Sequence, residues 1–112
     1  DVLHIDDFTD LLLKQLQHKE LWNAKPYNVG GGREASTSLL ELTKLCQEIT
    51  GRSVPLSKEE ETSSVDLRIY LTDNSRVNQD FGWKPQRKMK DTVESIYNWI
   101  DQSPPGLQKI LG

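Results

Sequence analysis

Asp66-Leu67-Arg68-Ile69-Tyr70-Leu71-Thr72-Asp73-Asn74-Ser75-Arg76-Val77-Asn78-Gln79-Asp80-Phe81-Gly82-Trp83-Lys84-Pro85 is the stretch on which the reading of this 112-residue chain turns. Leu67, Ile69 and Leu71 alternate with polar residues, the period of a strand with one face buried. Asp73 is placed to cap a helix, Gly82 to end it and Pro85 to stop any continuation. The spacing therefore predicts a strand, a cap, a short helix and a stop in direct succession.

Working outward toward the N-terminus, Lys58 to Ser64 with Glu59-Glu60-Glu61 reads as a solvated surface loop, and Ser53-Val54-Pro55-Leu56 as a short extended piece. Ser38 and Glu41 form an S-x-x-E capping box ahead of Leu39, Leu42, Leu45, Cys46 and Ile49, a helical face closed by Gly51. Lys25 to Val29 is a second strand candidate running into Gly30-Gly31-Gly32, a side-chain-free turn that lets backbone or ligand approach closely. Val2-Leu3-His4-Ile5 is a β-prone run. Asp6 and Asp7 then suit a helix start, where the dipole favours anions, and Phe8, Leu11, Leu12 and Leu16 recur at helical spacing to about His18. Beyond Pro85, Met89, Val93, Ile96, Tyr97 and Ile100 define an amphipathic helix, with Trp99 extending the face, that ends before Ser103-Pro104-Pro105. Leu107, Ile110 and Leu111 suggest one last turn packing back onto the body. The expected fold class is α/β, with about four helices and three to four short strands.

Composition narrows the function classes. With 35% hydrophobic and 28% charged residues the chain has the make-up of an ordinary soluble domain, and no apolar run approaches the roughly 18 residues of a membrane span. A formal charge of -3 gives no electrostatic reason to expect nucleic acid as a partner. The basic cluster from Lys84 to Lys90, with Arg87 and Lys88, reads as a solvated loop. The single Cys46 cannot form an internal disulfide, and its apolar helical neighbours make it a core residue. His4 and His18 have no further ligand at metal spacing on the same face, so no metal site is expected.

The order of these features resembles a known family. A D-x-R-x-Y-x-x-D strand leading into a short helix and G-W-x-P is similar to the C-terminal part of the extended short-chain dehydrogenases/reductases, NAD-dependent sugar-nucleotide epimerases and dehydratases. Asn28-Val29-Gly30-Gly31-Gly32-Arg33-Glu34 matches a recurring turn there. Asp1 to Asp7 matches an R-D-V-x-H-V-D-D segment without its leading arginine, which in the family meets the substrate diphosphate. The branch most resembled epimerises C2 of a CDP-linked dideoxyhexose.

The resemblance implies a Rossmann-type, cytoplasmic parent that uses NAD as cofactor and a nucleotide-sugar as substrate. Residues 1–112 would form its C-terminal substrate-binding portion, 1–102 as core and 103–112 as tail, with the N-terminal NAD-binding Rossmann domain lying outside this chain and serving as its partner. It further implies that Asp66 accepts from a nucleotide ribose, Arg68 faces phosphate or base, Tyr70 flanks the sugar and Arg33 lines the substrate. Read from the residues alone, Asp66 serves equally to solvate a strand end, and Arg68 and Tyr70 to form an exposed ladder beside it. Trp83 reads as a packing anchor. The family often carries an arginine three residues before its equivalent of Asp66; Ser63 stands there, so nucleotide contact in this chain is arranged differently or Arg68 supplies the charge.

The catalytic pair of the family is missing. Four residues after Tyr27, Tyr70 and Tyr97 stand Gly31, Asn74 and Asp101 rather than a lysine, so the chain alone is expected to be inactive and to hold no cofactor tightly. Gly30-x-Gly32-x-x-Ala35 also fits a dinucleotide fingerprint, but no acidic residue ends a second strand about twenty residues on. A free-standing module holding a nucleotide phosphate at the Gly30–Gly32 turn and a non-enzymatic interaction domain are the alternatives. A portion of a larger enzyme should also expose apolar surface, from which a homodimer or aggregation is expected.

Overall fold

The computed structural model describes residues 1–58, 65–102 and 106. Glu59 to Glu61, Ser63, Ser103-Pro104-Pro105, Leu107, Ile110 and Leu111, on which several expectations fall, lie outside the described residues. Four α-helices run in chain order: α1 Ile5–Gln17, α2 Leu39–Thr50, α3 Ser75–Phe81 and α4 Met89–Asp101, with 3-10 turns at Lys19–Leu21 and Arg33–Ala35.

The α/β expectation is corrected: among the described residues there is no strand. A strand exists only where a neighbouring strand completes a ladder of N–H···O=C bonds. Here the β-prone runs meet through side chains instead. The Asp1 carboxylate accepts from the N–H of Gly32 at 2.9 Å and of Thr72 at 2.6 Å. The Asn74 amide accepts from Gly30 N–H at 3.0 Å and donates to Gly30 C=O at 2.9 Å. Val2 N–H to the Ala35 carbonyl, 3.2 Å, is an isolated backbone bond rather than a ladder. Leu67 and Ile69, expected to face a core, are 77% and 80% exposed, and a bend at Arg68 interrupts their run.

The helices follow their local signals closely. The Ser38–Glu41 capping box forms in full and Gly51 closes α2. Gly82 ends α3 in the left-handed region at φ 60, where a side chain would strain. The N-cap of α3 is Asn74 rather than Asp73, yet the Asp73 carboxylate still accepts from Ser75 N–H at 2.8 Å. α4 starts with the Asp91 carboxylate on Lys88 N–H, 2.7 Å.

The core lies at the crossing of α1, α3 and the loop after α3. Leu11, Val77, Phe81 and Trp83 pack together, with Leu3, Tyr27 and Val29 against them. Tyr27 meets Phe81 edge-on at 5.6 Å. Trp83 is the packing anchor expected of it: it is 2% exposed, and its indole N–H donates to the Asp7 carbonyl at 3.0 Å. The apolar stripe of α1 is turned otherwise than its period suggests, with Asp7 and Leu11 buried and Phe8, Leu12 and Leu16 exposed. Cys46 is half-buried on α2 rather than in the core.

α2 packs on α4, not on the main core. The Cα radius of gyration is 17.5 Å, against about 13 Å for a closely packed chain of this length. Large apolar side chains on α1, α4 and the 65–71 run accordingly stand in solvent.

Candidate functional site

The glycine turn is built by close approach. A β-carbon on Gly30 would run into the Thr72 side chain and one on Gly31 into the Val2 carbonyl, so glycine is what allows three backbone segments to cross here. The N–H groups of Gly30 and Gly32 are already taken by Asn74 and Asp1. These two donors, which a dinucleotide or phosphate cradle would need, are spent inside the chain. With those donors taken, the turn does not fit the pyrophosphate of NAD.

Arg33 follows the turn and lines a shallow depression of about 370 Å³ with Gly31, Thr72, Asn74, Ser75 and Lys84. Asp66, Arg68 and Tyr70 do not line it. They stand together on the exposed 65–71 run, so the four expected site residues fall into two groups. None of the three makes a side-chain hydrogen bond or ion pair among the described residues, which leaves a carboxylate, a guanidinium and a phenol turned to solvent within five residues of sequence. Such a set can accept from vicinal hydroxyls, fork onto a phosphate and flank a ring.

The matched motif residues near the N-terminus do structural work that the sequence did not disclose. His4 caps α1 by accepting from Asp6 N–H at 3.1 Å. Asp7, 1% exposed, accepts from the backbone N–H of Gln86 and Arg87 and pairs with the Arg87 guanidinium at 2.6 Å. Arg87 also reaches Asp10 at 3.1 Å, and Asp10 and Asp7 together hold its proton more firmly than usual. The Lys84–Lys90 cluster is therefore not simply a solvated loop: Arg87 ties it to α1. One signal could have found Asp7, since it stands four residues before Leu11 on the same helical face. On the opposite side of the core the Tyr27 hydroxyl donates to Asp80 at 2.7 Å, a bond that makes the phenol harder to ionise.

The order of the motifs resembles the C-terminal part of nucleotide-sugar enzymes, and proteins of that kind are similar to this chain. The chain is 29% identical over 99 residues to the CDP-paratose 2-epimerase of Salmonella typhi, a match covering 88% of this chain and 29% of that protein. It is 26% identical over 107 residues to the UDP-glucose 4-epimerase of Erwinia amylovora, covering 95% of this chain and 31% of that protein. A probable GDP-L-fucose synthase 1 of Oryza sativa subsp. japonica matches at 29% over 99 residues, covering 88% of this chain and 28% of that protein. No family model matches the chain. It spans under a third of the length of these curated relatives. These matches bear out the resemblance and fit the C-terminal part of an extended short-chain dehydrogenase/reductase.

Among the described residues no helix is long and apolar enough to cross a membrane.

Proposed function

We propose that this chain is the substrate-binding portion of an NAD-dependent nucleotide-sugar epimerase acting on a CDP-linked sugar, with Asp66 receiving the ribose hydroxyls, Arg68 the phosphate or base, and Tyr70 the sugar. The observation that carries the proposal is a division of labour within the family motifs. Asp1, His4, Asp7, Asn74 and Trp83 are consumed by bonds inside the chain, whereas the side chains of Asp66, Arg68 and Tyr70 make none among the described residues. Motif side chains that make no bond within the described fold are the ones available to a ligand. Arg33, standing apart, adds charge to the neighbouring depression and is the weaker contributor.

Redox chemistry belongs, on this reading, to an NAD-binding domain in the remainder of a longer protein. The chain itself binds and orients. Titration calorimetry with CDP-glucose, CDP and NAD tests the proposal: weak saturable binding of the CDP compounds and none of NAD supports it, and NAD binding in their place contradicts it. In Asp66→Asn and Arg68→Gln the CDP affinity should fall about tenfold each, the loss of one charge-assisted contact.

A further inference from the structure

The run that carries Asp66, Arg68 and Tyr70 has little to lean on. Leu67, Ile69 and Tyr70 are all exposed, and no described strand lies beside them. A segment with so few buried contacts keeps its place through the bonds at its ends. Val65 holds a partner at one end. At the other, among the described residues, every hydrogen bond made by residues 66–72 goes to Asp1. The Asp1 amine donates to the Tyr70 carbonyl at 3.2 Å, and the Asp1 carboxylate accepts from the Thr72 N–H at 2.6 Å and from the Thr72 hydroxyl at 3.2 Å.

The carboxylate oxygen that takes the Thr72 N–H also takes the Gly32 N–H at 2.9 Å, immediately before Arg33. We infer that Asp1 is a positioning residue: its carboxylate sets the distance between the 66–70 run and the glycine turn, and so aligns the two groups of site residues that the fold keeps apart. Close packing makes that distance narrow. The Thr72 side chain occupies the place a β-carbon on Gly30 would take, and the Val2 carbonyl the place of one on Gly31. An ionised acceptor shared by two N–H groups holds them more firmly than a neutral one. Spent on these bonds, the Asp1 carboxylate acts through Thr72 and Gly32 rather than on a ligand. Further along, Asn74 ties the chain to Gly30 on its own, so loss of Asp1 frees the run without undoing the turn. The inference rests on the reading of Asp66, Arg68 and Tyr70 as the nucleotide-binding set.

Backbone heteronuclear NOEs of the 112-residue chain, measured without ligand and along a CDP titration, test this. Asp1→Ala should lower the NOEs of residues 66–72 and leave those of α2 and α4 unchanged. It should also weaken CDP binding about tenfold, with the NOEs of the run recovering as CDP saturates. Asp1→Asn can turn its amide oxygen to both N–H groups and its amide N–H to the Thr72 hydroxyl, and should stay within about twofold of the native affinity. Thr72→Val removes one bond to the carboxylate while keeping the shape against Gly30, and should weaken CDP about threefold. It carries the test if Asp1→Ala fails to fold. Native CDP binding that Asp1→Ala or Thr72→Val leaves unchanged, unaltered NOEs in Asp1→Ala, or an Asp1→Asn as weak as Asp1→Ala would overturn the positioning role alone. A native chain that binds no CDP would overturn the nucleotide reading, and the positioning role with it.

Discussion

The carboxylate of Asp7 and the guanidinium of Arg87, 80 residues apart in sequence, meet at 2.6 Å and tie the first turn of α1 to the loop after α3. Their burial is unequal, with Asp7 enclosed and Arg87 a third exposed. Asp7 also holds two backbone N–H groups that have no other acceptor among the described residues.

Removing either partner should therefore cost different amounts. Asp7→Ala strands those N–H groups and is expected to destabilise the fold by about 3 kcal/mol. Arg87→Ala leaves both backbone bonds in place and should cost about 1 kcal/mol. Urea unfolding of the two variants measures the gap, and equal losses would assign Asp7 no role beyond the ion pair.

Asn74 stands in for a strand partner at Gly30, accepting from its N–H and donating to its C=O. Asn74→Leu should destabilise by about 2 kcal/mol, since both buried groups of Gly30 lose their bonds. Asn74→Asp keeps the acceptor and should recover part of that loss in the same unfolding assay.

Ala24 is the one described non-glycine residue at positive φ, 57. Left-handed backbone costs an L-residue about 1 kcal/mol, so Ala24→Gly should raise stability by about that much. A rise in the urea midpoint at constant m-value checks it.

The acid limb of stability should report the caps. Hydrogen bonds from Ser38, first from its backbone N–H and then from its hydroxyl, hold the Glu41 carboxyl below its ordinary value of 4.5. Ser75, first through its hydroxyl and then its N–H, does the same for Asp73. A carboxyl whose pKa is lower folded than unfolded stabilises the fold above its ordinary value, and the contribution is lost as pH falls through the lowered one. Thermal unfolding between about pH 6 and pH 3 should show this loss, and Glu41→Gln should flatten it.

How far the sequence spoke depends on the range of the interaction. The Ser38–Glu41 box, the Gly51 and Gly82 stops and the α4 period are local, so the four helices were legible within a residue or two. The strands were not, because alternation at Leu67, Ile69 and Leu71 states a preference that only a neighbouring strand can fulfil. The burial of Asp7 in place of Leu12 or Leu16 depended on Arg87 and the backbone beside it, for which its place four residues before Leu11 is only a faint local signal. For the site, Asp66, Arg68 and Tyr70 were legible as a motif. The separation of Arg33 from them required the fold.

The central claim is that Asp66, Arg68 and Tyr70, not the glycine turn, meet the nucleotide. Amide chemical shifts followed while CDP is titrated into the chain test it most directly. Saturable changes concentrated at residues 66–70 are predicted, and changes centred on residues 30–34, or none that saturate, would contradict it.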